Sequence, residues 1–177
     1  MKNGRAKGKI AEREVAKMLE AWWGQLEPGC RFKSTPLSGG WSSPDVREAF
    51  KTSGDLVTTA TRFPFAIEVK RRENWSWETL RAGKPSPVLG WWKQAARQAE
   101  EMKSQPLLVF RHNNEPWWAA GSSEYFCSSS GCLVSSGHSF EFGIGLLYVY
   151  AFPFASLLKV LPDHFATTRK THVLEIP

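Results

Sequence analysis

The run Phe65-Ala66-Ile67-Glu68-Val69-Lys70 constrains the fold more than any other stretch of this chain. Side chains alternate along a strand, so Phe65, Ile67 and Val69 point one way and Ala66, Glu68 and Lys70 the other. One face packs, and the other carries a carboxylate beside an ammonium. An edge strand with a solvated face accounts for that pattern when taken alone. A second acid changes its meaning. Asp55 stands thirteen positions before Glu68, at the head of the short apolar run Leu56-Val57. A hairpin between the two strands would set Asp55 beside Glu68. Two carboxylates on adjacent strands suit Mg²⁺, with Mn²⁺ as a substitute, because Mg²⁺ takes a couple of carboxylates together with waters and phosphate oxygens. Lys70 shares the face of Glu68. It is placed there to orient or deprotonate a water, or to neutralise developing charge.

Around this strand the chain alternates between helical and extended patterns. Residues 9–23 place Ala11, Val15, Met18, Leu19 and Trp22 on one helical face, closed by Gly24 and Pro28. A polar loop, residues 35–44, precedes a short helix at 45–50 and a strand at 55–57. After the strand at 63–70 comes a loop, Gly83 to Pro87, and a second helix over 91–103. Residues 107–111 and 117–120 flank a turn and predict a hairpin. The Ser/Gly-rich stretch 121–143 reads as an extended loop or an insertion with short strands. A strand at 146–151 and a short helix at 154–160 follow. The order predicts one α/β domain over 1–177, a mixed sheet flanked by helices.

Composition narrows the class of partner. Of the 177 residues, 13% are aromatic, including nine Trp, which is too much apolar material for a disordered chain. The formal net charge of +6 suits an anionic partner. Arg5, Lys7, Lys9 and Arg13 precede or open the first helix, and Arg71 and Arg72 follow Lys70; all six are candidate DNA contacts through counterion release. Gly4 and Gly8 would let the basic arm lie along a backbone. The tryptophans at 75, 77, 91, 92, 117 and 118 read as packing residues ahead of base-stacking platforms. Cys30, Cys127 and Cys132 form no paired framework and read as reduced thiols. No apolar core follows the basic N-terminus and no run of apolar residues could span a bilayer, so a prokaryotic cytoplasm without membrane attachment is expected.

Gly54-Asp55-Leu56-Val57 followed by Glu68-Val69-Lys70 resembles the core of the PD-(D/E)xK nuclease superfamily, with Gly54 where the superfamily has proline. Pro44-Asp45 is a literal Pro-Asp pair. It sits in a polar loop, precedes a helical pattern and lies farther from Glu68, so Asp55 is preferred and Asp45 stands as the alternative. Residues 7–19, KGKIAEREVAKML, are similar to the opening helix of archaeal-type Holliday-junction resolvases within that superfamily. There the resemblance implies a helix glutamate that completes the metal site. Glu12 matches the family's Glu-Arg pair, and at about 100° per residue it flanks the core-facing sector, with Glu14 further round on the other side. The loop Pro36-Leu37-Ser38-Gly39-Gly40 is similar to a serine-glycine loop of the same resolvases and implies that Ser38 contacts the scissile phosphate. Gln94, in the helix after the strand, fits a family glutamine, while Gln98 lies nearer the apolar face.

The resemblance implies a restriction-endonuclease-like fold and Mg²⁺-dependent cleavage of four-way DNA junctions. Glu12, Asp55 and Glu68 would bind metal, and Lys70, Ser38 and Gln94 would serve the reaction. Paired cuts imply a twofold homodimer. The alternatives are another PD-(D/E)xK nuclease, restriction-like or of repair type, and a DNA-binding protein without catalysis. All of them require Asp55 and Glu68 on one side of the sheet if the acids are to act together.

Overall fold

A computed structural model of the chain describes residues 3–35, 51–128, 131–132, 140–144 and 147–167. The first helix, α1 (Asn3–Trp23), is longer than the periodicity predicts. The basic arm is its first two turns, not an extended segment, so Arg5, Lys7, Lys9 and Arg13 are displayed at helical spacing. Ala11, Val15, Leu19 and Trp22 are buried at the expected positions. A fully buried Val or Leu side chain contributes roughly 1.5–3 kcal/mol, which exceeds the weak helix propensity of the arm.

Three short strands follow: β1 (Phe32–Ser34), β2 (Lys51–Ser53) and β3 (Leu56–Thr58). They form an antiparallel sheet in the order β1-β3-β2. The strand at 65–70 is β4 (Phe65–Arg71). Next come α2 (Trp77–Arg81), capped by Ser76, and α3 (Pro87–Glu101). Ser86 caps α3 and Pro87 sits in its first turn, where the missing N–H costs nothing. Strands β5 (Gln105–Arg111) and β6 (Trp118–Ser122) make the predicted hairpin. The Ser/Gly-rich stretch carries α4 (Ser123–Phe126), the ribbon β7 (Cys127–Ser128) and β8 (Gly131–Cys132), and β9 (Phe140–Ile144). Strand β10 (Leu147–Pro153), α5 (Phe154–Leu157) and α6 (Asp163–Thr167) close the described chain.

The main sheet has the order β4-β5-β6-β10-β9. Only β4 and β5 are parallel; the other pairs are antiparallel. This is a mixed sheet flanked by helices, the α/β architecture expected. One face of β4 and β5, with Phe65, Ile67, Val69, Leu107 and Val109, packs against α1. Leu108 and Phe110 join Val88, Trp92 and Ala95 of α3 on the other face. Trp75, Trp92 and Trp117 are buried, as packing residues should be. Trp75 stacks on His112 with 4.2 Å between ring centroids. No helix among the described residues is long and apolar enough to cross a membrane.

The helix expected at 45–50 lies outside the described residues, which resume with the strand at 51–53. Two expectations change. Cys127 is disulfide-bonded, not reduced, and stands opposite Cys132 in the ribbon register; Cys30 is the buried free thiol. Tight antiparallel pairing brings the two backbones of such a ribbon into range of a cross-link. Finally, β3 and β4 form no hairpin. Residues between them are drawn away to the end of α1, where the N–H groups of Thr61 and Arg62 donate to Glu27 at 2.7 and 2.8 Å. The chain then re-enters so that Gly54 and Ile67 make a single parallel bridge.

That bridge needs Gly54. Its φ is +75°, out of reach for proline, and a Cβ there would sit 2.1 Å from the Ile67 carbonyl oxygen. The superfamily's proline is therefore excluded by this backbone. Gly54→Ala should lower stability by about 2–4 kcal/mol, combining left-handed strain with overpacking. Urea unfolding of the two proteins measures it; equal midpoints would mean the bridge is not formed.

Candidate active site

Asp55 follows Gly54 and is fixed through its backbone. Its N–H donates to the Ile67 carbonyl at 2.8 Å, and its own carbonyl accepts from Thr35 N at 2.9 Å. Its side chain turns towards β4, where Oδ2 accepts from the Val69 N–H at 2.8 Å. Glu68 lies one residue before Val69 on that strand and has no exposed surface. The solvated-face explanation of Glu68 thus fails. The two carboxyl groups face each other, and Lys70 Nζ donates to Glu68 Oε1. Asp55 and Glu68 stand on one side of β4, as joint action requires.

The electrostatics follow from burial. Glu68 is pushed up to about 7, first by loss of water and next by the neighbouring Asp55 charge, with Lys70 opposing both. Asp55 is also raised, by burial first; the Val69 N–H, Lys70 and Lys9 oppose that, and Glu12 adds to it. Glu68 Oε2 is buried with no hydrogen-bond donor in reach. A carboxylate oxygen in that position needs a shared proton or a cation.

α1 brings the third acid. Glu12 is 9% exposed, and its Oε2 accepts from Lys9 Nζ at 2.8 Å and from the Ser34 hydroxyl. Lys9 also donates to Ser34 Oγ at 2.8 Å and to the Thr35 carbonyl. β1 is held in place for this by Glu20, two turns further along α1, which accepts from Phe32 N at 3.1 Å and pairs with Arg31 at 2.7 Å. Glu14 goes elsewhere: Arg111 and the Trp117 indole donate to it at 2.7 and 3.0 Å. Helical geometry thus separates the two glutamates, one to the acid cluster and one to a packing contact.

Among the remaining sequence candidates, Ser38 and Asp45 lie outside the described residues. Gln94 is half-buried on α3 and makes no hydrogen bond to Asp55, Glu68 or Lys70. Lys7, Arg13 and Arg72 are exposed, as DNA contacts need to be. Arg5 falls in the first turns of α1. Arg71 is half-buried, with Nε on Asn113 Oδ1 at 2.8 Å. Lys9, expected among the DNA contacts, points instead into the acid cluster. Ser34 was not singled out by the sequence; its signal is the alternation Phe32-Lys33-Ser34, which puts a hydroxyl on the side of the buried Phe32.

Among the described residues no three His, Cys, Asp or Glu side chains form a ready-made cage for a metal ion. The pair Asp55 and Glu68 nevertheless fits Mg²⁺ chemistry: two hard oxygen donors, one with an orphaned buried oxygen, beside a lysine.

The raised Glu68 has a consequence for stability. Its carboxyl keeps a proton to about 7 in the fold but only to about 4.5 when unfolded. Between those values the folded protein binds more protons, so this group's contribution to stability falls as pH rises. In chelator, Glu68→Gln should therefore gain on wild type from pH 5 to pH 8, by on the order of 3 kcal/mol at 1.36 kcal/mol per unit. Urea unfolding at both pH values tests it; a pH-independent gap would show that Glu68 is ionised throughout.

A family model described as "Phage putative PDDEXK endonuclease" matches residues 3–129, a span that holds Glu12, Ser34, Asp55, Glu68 and Lys70. Protein D14 of Escherichia phage T5 is 24% identical over 123 residues, covering 67% of this chain and 70% of that protein. No solved structure matches.

Proposed function

The chain belongs to the phage PDDEXK endonuclease family, and we propose that it is a Mg²⁺-dependent endonuclease that resolves four-way DNA junctions. The observation that carries the reading is the close pair of half-buried Asp55 and fully buried Glu68, with Lys70 beside it at the edge of the main sheet. Burying two like charges is costly unless a cation or a proton joins them. A pair held there by backbone bonds on two separate segments is more simply explained by catalysis than by stability.

Asp55 and Glu68 would hold Mg²⁺, with Glu12 contributing a further oxygen from α1. The bound metal would stabilise charge on the phosphate and lower the pKa of a coordinated water. The protein's own part is arrangement. The Val69 N–H fixes the Asp55 carboxylate, leaving one oxygen, Oδ1, outside that bond. Lys70, released from its bond to Glu68 when the carboxylate takes another partner, can orient the attacking water or offset charge on phosphorus. Exposed Lys7, Arg13 and Arg72 supply phosphate contacts around the site. Ser38 extends the same reading to the scissile phosphate, and Mn²⁺ is expected to replace Mg²⁺. In-line hydrolysis would leave 5′-phosphate and 3′-hydroxyl ends.

Cutting two strands of a junction symmetrically requires two sites, hence a twofold homodimer. Sedimentation at micromolar concentration should give twice the chain mass, and a monomer would remove the basis for paired cuts. Incubation with a four-way junction should give paired nicks with Mg²⁺ and none with chelator. Asp55→Asn and Glu68→Gln should lose at least about a hundredfold in rate, the scale of removing a stabilising group from a reaction centre, while still retarding DNA in a gel. Glu12→Gln should slow cleavage, whereas Glu14→Ala should lower the unfolding midpoint and leave the rate near wild type. Linear duplex cut as fast as a junction would shift the reading to another nuclease of the family. Junction binding without scission would make it a DNA-binding protein.

A further inference from the structure

Among the described side chains of α1, Lys9 is the one basic group whose contacts join the acid cluster, and none of the site roles above uses it. Its ammonium has three donors and three acceptors around it: Glu12 Oε2 at 2.8 Å, Ser34 Oγ at 2.8 Å and the Thr35 carbonyl. The Ser34 hydroxyl closes the ring by donating to the same Glu12 oxygen. Both groups act on Oε2, and no protein donor among the described residues takes Glu12 Oε1. From Thr35 the chain of bonds continues. Thr35 N donates to the Asp55 carbonyl at 2.9 Å, and its hydroxyl donates to the Gly54 carbonyl at 3.0 Å. Lys9 thus reaches two acids at once, Glu12 directly and Asp55 through β1 and the Gly54 turn.

We propose that Lys9 is a positioning residue of the nuclease site, locking Glu12 by one carboxylate oxygen so that the other faces the cation, and fixing through Thr35 the turn that carries Asp55. The inference rests on the metal-dependent reading above. It replaces the expectation that Lys9 contacts DNA, since an ammonium with all three protons engaged has none left for a phosphate. Partners that orient ligands in this way typically contribute 10–100-fold to metal affinity or activity.

The sign of one measurement separates positioning from simple charge. Removing a cation near a metal site should strengthen binding of a divalent ion if charge alone matters. Removing a positioning group should weaken it. Lys9→Met keeps the length of the side chain and removes both charge and donors; Lys9→Arg keeps the charge and can restore part of the clamp; Ser34→Ala removes one side of it. Titration of each protein with Mn²⁺ without DNA, followed by calorimetry, should show about tenfold weaker binding for Lys9→Met and a smaller loss for Ser34→Ala. Lys9→Arg should fall between Lys9→Met and wild type. With a junction substrate and Mg²⁺, kcat should fall by 10-fold or more in Lys9→Met, with KM for DNA unchanged within about threefold. Tighter Mn²⁺ binding, unchanged kcat, or a raised KM alone would overturn the assignment. If Lys9→Met does not fold, Lys9→Arg and Ser34→Ala decide by the same readouts. Wild type that neither binds Mn²⁺ nor cuts would sink the nuclease reading and this inference with it. Wild type that does both while the Lys9 variants match it would sink this inference alone.

Discussion

Two carboxyl groups pressed together out of water set the terms for the rest of this molecule. Neither Asp55 nor Glu68 can keep its charge at little cost, and among the described residues only one cation, Lys70, comes into direct contact with the pair. The pair persists because the backbone fixes it. Asp55 cannot swing away while its N–H and its carboxylate are both bonded to β4, and Glu68 cannot leave a strand buried on both faces. A site under this strain is poised to take up a positive charge, and a small divalent ion that brings its own water is the occupant proposed for it.

Beyond the bonds made by β4 itself, the groups that hold that geometry come from outside the main sheet. α1 packs across one face of β4 and supplies Glu12 and Lys9. β1 is docked onto α1 by Glu20 and supplies Ser34, with Thr35 just beyond its end. The Gly54 turn then links β1 to β4. Each contact is modest: a hydrogen bond contributes about 1 kcal/mol net and a half-exposed ion pair less. Their joint effect is to make the positions of three acids depend on one another.

The alternation of Phe65 to Lys70 made the inward and outward faces of β4 legible from sequence, and the spacing of Val15, Leu19 and Trp22 did the same for α1. That Glu12 and Glu14 meet different neighbours was also legible, because the helical angle separates them. The route from β3 to β4 was not. A hairpin was the simplest connection, but Glu27 captures the N–H groups of Thr61 and Arg62 and redirects the chain, and nothing local in the sequence announces a contact between positions so far apart. The contacts of Lys9 were hidden for a related reason. Lysine at the start of a basic helix looks solvated until β1 is known to lie alongside. Gly54 was legible only as a departure from the superfamily's proline; its φ of +75°, which proline cannot adopt, became visible in the backbone.

The seam between the two sheets has a thermal consequence. Gly54 and Ile67 form the only isolated backbone bridge among the described residues, supported by the Asp55 side chain on Val69. Parting those strands breaks a few hydrogen bonds but also uncovers Phe32, Leu56 and Phe63, which pack in one cluster with Phe65 and Ile67. The seam is thus sealed by core packing as well as by the bridge, so heating loosens the acid pair together with the aromatic body.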